Sequence, residues 1–154
     1  MKTKTIISEL TQEDLVNLLC TATYGSNWLD CTAPNRKGIV VDDTDCREDV
    51  WAKALLAGNK IKCLDYYAEG VTYGNLVCGI EDKEDNEAAY YWVGLQDIIN
   101  GLQKCADGTF AESEEYGEWI SKCFRNFQNG GYDMDNPEAE ALMQIILFGE
   151  LIYG

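Results

Sequence analysis

The sequence predicts an α+β fold: a single domain, residues 1–154, with a small antiparallel sheet packed against about four to five helices and a buried C-terminal helix. Three observations carry this. The terminal stretch YDMDNPEAEALMQIILFGELIYG is apolar almost all round once its polar start is passed, and a helix of that kind is buried. Segments near 11–23, 46–57, 95–104 and 110–127 repeat apolar residues at helical spacing, whereas 60–67 and 90–93 read as strands. No repeat, low-complexity segment or linker divides the chain, and 154 residues suffice for a sizeable core.

In chain order, residues 1–10 read as a short strand or arm. Thr11 with Asp14 matches the cap signature that opens a helix over 11–23, and Leu15, Val16, Leu18, Leu19 and Ala22 form its apolar stripe. Trp28 follows in a polar loop and reads as the edge of the core. Gly38-Ile39-Val40-Val41 is expected to be a short strand, followed by the acidic turn Asp42, Asp43, Asp45. That turn fails as a calcium loop, because its sixth position lacks glycine and Val50 falls where a bidentate acid should sit. A helix over 46–57 places Val50, Trp51, Ala54 and Leu55 inward, with Gly58 beyond its end. The strand 60–67 puts Ile61, Cys63 and Asp65 on one side. VTYGNLVCGI, broken by Gly74 and Gly79, reads as an irregular strand or strand pair. Residues 81–87 (EDKEDNE) form a charged turn that closes a hairpin with the strand Tyr90–Val93. Two more helices follow, over 95–104 and 110–127. The last helix spans 137–148: Asp135 or Asn136 is the N-cap, Pro137 takes the first position, Glu138 completes a capping box and Gly149 is the stop.

The composition narrows function. A formal charge of −15 repels nucleic acid and anionic membranes and attracts basic surfaces. With no histidine in the chain, the usual general base, the Ser–His and Cys–His pairs and the commonest metal ligand are missing together. The seven cysteines stand singly, without zinc or redox spacing, and are expected to be free thiols in a reducing cytoplasm. No signal-peptide core or membrane span is expected. Asp133, Asp135 and Glu138 could form a carboxylate metal site, but Pro137 and the helix cap account for them without one. No catalytic residue, cofactor or metal is therefore assigned.

Three acidic patches are candidates for meeting a basic partner: Glu81, Asp82, Glu84 and Asp85; Glu112, Glu114, Glu115 and Glu118, with Trp119 as an anchor; and Asp42, Asp43 and Asp45. The second is preferred, because a helix holds Glu114 and Glu118 at fixed spacing on one face, whereas a turn must be ordered on binding.

The chain's end runs through Met143-Gln144 into Leu147-Phe148-Gly149-Glu150-Leu151-Ile152-Tyr153-Gly154. Its opening carries Leu10-Thr11-x-Glu13-Asp14-Leu15, then Thr21-Ala22-x-Tyr24-Gly25 and Trp28. A hairpin and Leu95-x-x-Ile98-x-x-Gly101-Leu102 follow in the middle. In these features the chain resembles an uncharacterised family of small acidic proteins from bacteria, phages and mobile elements. The likeness is loose over the whole chain and specific at the terminal motif; Cys31 and the 31–46 loop fit it less well. The resemblance implies a phage or mobile-element accessory protein and carries no established active site. The expected function is a non-enzymatic inhibitor, of anti-CRISPR or antirestriction type, acting in the bacterial host cytoplasm. Its partner would be the basic groove of a host nucleic-acid-binding protein such as a CRISPR effector, with no direct nucleic-acid or membrane binding and with a homodimer left open. The alternatives are a structural phage protein whose acidity serves only solubility, and a hydrolase built on Asp and Glu.

Overall fold

The computed structural model describes residues 7, 9–83, 86–108, 114–131 and 133–153. In chain order they form α1 (Gln12–Thr23), β1 (Leu29–Thr32), α2 (Arg47–Leu56), β2 (Ile61–Asp65), β3 (Cys78–Lys83), β4 (Asn86–Val93), α3 (Leu95–Asp107), α4 (Glu114–Gln128) and α5 (Asn136–Phe148). The expected α+β class is the one found, with every strand pair antiparallel and the sheet ordered β1-β2-β4-β3.

Carboxylates start four of the helices. Thr11 Oγ1 accepts from Asp14 N–H at 3.1 Å while Asp14 accepts from Thr11 N–H at 2.9 Å. Asp135 and Glu138 close the same reciprocal box on α5, at 3.0 and 3.2 Å. Asp49 accepts from Cys46 N–H at 2.9 Å, and Asp97 from Gly94 N–H at 2.8 Å. Each satisfies a donor that a helix start leaves unpaired and puts negative charge at the positive end of the helix.

α5 is the buried centre of the helical layer. Ala139 and every residue from Ala141 to Phe148, Gln144 included, are buried. It packs against α1, α3 and α4. The approach to α3 is close: a Cβ on Gly101 would stand 2.5 Å from Ile146 Cγ1 and 2.7 Å from Ile146 Cα. At its far end Phe148 meets the sheet's inner face, with its ring centroid 5.4 Å from that of Tyr91. The same face carries Leu29, Cys31, Ile61, Cys63, Ala89 and Val93, all buried. Cys31 and Cys63 are register partners with sulfurs 3.4 Å apart, and all seven cysteines are free thiols.

The terminal motif is a lock on this core. Gly149 ends α5 in the left-handed region at φ 78°, where glycine is the least strained residue. The chain then turns back along α5. Gln144 Oε1 accepts from Ile152 N–H and Tyr153 N–H, both at 2.8 Å, and its Nε2 donates to Tyr153 O at 3.2 Å. The Tyr153 ring lies 5.3 Å from Trp28 and 5.9 Å from Phe148, and its hydroxyl donates to the buried Asp65 Oδ2 at 2.7 Å.

Several sequence expectations need correction. Gly38–Val41 is not a strand: Val40 and Val41 are 75% and 45% exposed, and the segment lies outside the sheet. The strand instead forms just after Trp28, where Leu29, Asp30, Cys31 and Thr32 pair with β2 and Trp28 itself is buried. Four residues with alternate polar side chains carry too short a pattern to stand out. The hairpin across the acidic run forms, but Glu81–Lys83 and Asn86–Glu87 are strand and not turn, continuing the ladder through Glu81↔Ala88, Asp82↔Glu87 and Lys83↔Asn86; main-chain pairing there outweighs the repulsion between facing carboxylates. Of VTYGNLVCGI, only Cys78 onward is strand. Gly74, at φ 76°, lies so close to the end of α5 that a Cβ would stand 2.8 Å from Leu147 O. The helix expected over 110–127 spans Glu114–Gln128, and residues 110–113 of that expectation lie outside the described residues.

Candidate functional site

The β3–β4 hairpin assembles the clearest acidic feature. Asp82 and Glu87 are direct cross-strand partners and both are exposed. Beside them the Glu69-Gly70 turn approaches, with Glu87 Oε1 3.5 Å from where a Cβ on Gly70 would be. Like charges placed opposite each other destabilise a ladder, so this pair is not explained by hairpin stability. Glu81, on the other face, is neutralised: Lys62 Nζ reaches its carboxylate at 2.6 Å and lies 4.9 Å from the Tyr90 ring centroid. Glu84 and Asp85 of the same patch lie outside the described residues.

The helical patch is described in part. Glu112 lies outside the described residues, and Glu114 and Glu115 occupy the first two positions of α4. Glu118 is exposed and Trp119 is 38% exposed, which leaves an indole edge available beside a carboxylate. The third patch is weaker than its charge suggests. Lys53 Nζ lies 2.6 Å from Asp45 and 3.6 Å from Asp42, and the ammonium holds the Asp45 carboxyl below its ordinary value. Asp135 and Glu138, weighed as metal ligands, are engaged in the α5 cap, and Glu138 also accepts from Asn126 Nδ2 at 2.7 Å.

No protein-family model, curated protein or solved structure matches this chain.

Two other places bring polar or titratable groups together. A shallow hollow of about 500 Å³ is lined by Pro34, Asn35, Gly58, Asn59, Lys60 and Trp92. Among the described residues its lining holds no carboxylate, thiol or hydroxyl, and Lys60 is its one titratable side chain. Asp65 is the one described aspartate with no exposed surface. Burial pushes its carboxyl above the ordinary value, opposed by hydrogen bonds from the Tyr153 hydroxyl and Tyr67 N–H. Burial and the adjacent Asp65 push the Tyr153 hydroxyl up as well, and burial raises Tyr91 to about 12. Trp28, Tyr67 and Phe148 pack around the Tyr153 ring and, with Asp65, hold the tail against the core.

The sign of the Asp65 shift gives a test. A folded-state value above the unfolded one means that the folded state binds the proton more tightly. The stabilising contribution is full below the unfolded value and is lost as pH rises through the folded one. Asp65→Asn keeps an acceptor for Tyr67 N–H and removes the ionisation. The melting temperature of Asp65→Asn relative to the native chain should therefore be highest at pH 7 and decline as pH falls toward 4. A difference independent of pH would mean that Asp65 does not titrate differently on folding.

The sequence does not reveal the hairpin pair, because both Asp82 and Glu87 lie in the charged run that reads as a turn. Residues 81–83 are all charged and 88–93 all apolar, so no period-2 pattern marks the pair.

Proposed function

We propose that this chain is a non-enzymatic acidic accessory protein of phage or mobile-element type. It binds and inhibits a host nucleic-acid-handling defence protein, of anti-CRISPR or antirestriction class, by occupying its basic groove in place of nucleic acid. The observation that carries the reading is the exposed Asp82–Glu87 pair. A hairpin selected only for stability would place opposite charges there, whereas a surface that imitates phosphates needs carboxylates held close on a rigid frame. Arg and Lys side chains of a groove satisfy such carboxylates with charge-assisted hydrogen bonds. Glu118 and Trp119 on α4 supply a second carboxylate with an aromatic anchor. Among the described residues no helix is long and apolar enough to cross a membrane.

The hairpin offers a test in which stability and binding move in opposite directions. Asp82→Lys creates a cross-strand ion pair with Glu87, so the melting temperature should hold or rise slightly. Binding should fall by about tenfold or more, since a carboxylate facing a basic groove becomes an ammonium. The measurement is capture from bacterial lysate by native, Asp82→Lys and Glu118→Lys protein across a salt series. Capture of a protein with a basic groove, lost as salt rises and lost in Asp82→Lys, is the expected result. Capture equal in all three proteins and at all salt levels would end the mimicry reading.

A rival reading is that the acidity serves folding and solubility. The four carboxylates that start helices favour it, since Asp14, Asp49, Asp97 and Asp135 each have a structural task.

A further inference from the structure

The two edges of the sheet are treated differently. On β1, the bond from Tyr66 N–H to Trp28 O at 2.8 Å sets the phase of the ladder, so the main-chain groups of Leu29 and Cys31 point away from β2. Both outward N–H groups are already used. Leu29 donates to Ser26 Oγ at 3.1 Å and Cys31 to Asp30 Oδ1 at 2.9 Å. α2 also packs against this strand. On β3, the bond from Trp92 N–H to Val77 O at 2.9 Å sets the phase. Gly79 and Glu81 then turn their main-chain groups toward β4, and Cys78, Ile80 and Asp82 turn theirs away. Among the described residues no partner takes these outward groups.

An open edge invites pairing with another chain. Its side chains state what kind. Val77 and Ile80 are 64% and 41% exposed. At the hairpin end, Asp82 and its partner Glu87 present like charges that an added strand could neutralise. A second copy of this chain, with formal charge −15, would bring two acidic hairpins together and is disfavoured.

The geometry points to β3 as a strand-addition site for a basic, extended segment of the partner protein. The segment would align antiparallel or parallel along Cys78–Asp82. Its main chain would bond the outward groups; on the face shared by Ile80 and Asp82 an apolar side chain would lie beside Ile80 and a Lys or Arg beside Asp82 and Glu87, and on the opposite face an apolar side chain would cover Val77. This rests on the reading of the chain as an acidic binder and adds to it the mode of binding.

The Ile80 N–H separates main-chain pairing from charge. It points away from β4, so Ile80→Pro removes an outward donor without removing a bond of the ladder. Ile80→Thr changes the same side chain and keeps the donor. The probe is a blocked octapeptide repeating Lys-Lys-Val-Val, which sets Lys and Val in turn along each face, alongside its copy N-methylated at alternate residues, with binding followed by fluorescence anisotropy. Hydrogen exchange is read at the amides of Ile80 and Asp82. The native chain and Ile80→Thr should bind the peptide alike, with exchange at those amides slowed in the complex. Ile80→Pro and the N-methylated peptide should each weaken binding by about tenfold, the worth of one or two hydrogen bonds. The N-methylated peptide keeps the test valid if Ile80→Pro fails to fold.

Equal binding of the peptide and its N-methylated copy would overturn strand addition, as would no binding of either. Loss of binding in Asp82→Lys would in that first case leave the charge-based reading standing. If Asp82→Lys also bound normally, both would fall. A concentration-dependent dimer that masks the Ile80 and Asp82 amides would assign the edge to a second copy and overturn the proposal.

Discussion

Ile145→Asp should abolish the folded state. Ile145 sits in the middle of α5, 1% exposed, in a helix whose residues from Ala141 to Phe148 are all buried. An ionised carboxylate there has no described cation beside it, and burying an unpaired charge or forcing it to protonate costs several kcal/mol. Total stability of a domain is only about 5–15 kcal/mol, so this single change removes most of it. The expected result is loss of the cooperative melting transition with an insoluble or unfolded product. Ile145→Val, which deletes one buried methylene, should cost only about 1 kcal/mol and stay folded. A soluble Ile145→Asp protein with the native melting temperature would show that α5 is not the centre of the core.

Gly101→Ala should destabilise the protein, against the direction that helix propensity alone gives. In an isolated helix, alanine is favoured over glycine by about 1 kcal/mol. Here the new Cβ would stand 2.5 Å from Ile146 Cγ1 and 2.7 Å from Ile146 Cα. The first contact could be relieved by a side-chain shift. The second is with backbone, so α3 and α5 must separate. Overpacking of this kind costs about 1–3 kcal/mol, so after the propensity gain the net loss is about 1 kcal/mol, which lowers the melting temperature of a domain this size by about 2–4 °C. Thermal unfolding followed by circular dichroism reads it. An unchanged or raised melting temperature would mean that the two helices are not in close contact at Gly101.

Much of this architecture was legible in the chain. The α5 cap, from Asp135 through Pro137 and Glu138 to Gly149, is local chemistry acting over a few residues, and it formed as read. So did the Thr11–Asp14 box, and the strand read over 60–67 forms over 61–65. The failures were of another kind. Val40 and Val41 have strand character but no strand beside them, and β1 has little strand character but lies next to β2. Sheet membership depends on which segments meet, and alternation within one segment does not specify its neighbour.

The same division applies to the candidate surface. The sequence by itself determined the net charge of −15, the lack of histidine and the acidity of residues 81–87. It could not determine that Asp82 faces Glu87, that Lys62 neutralises Glu81, or that Lys53 lies between Asp42 and Asp45. Nor could it show that the terminal motif is bound by Gln144 and Asp65, whose partners lie 8, 9 and 88 positions away. Charge is a sum over residues and is fixed by composition. Whether a charge is paired, buried or offered to a partner depends on neighbours distant in sequence, and only the folded chain brings those together.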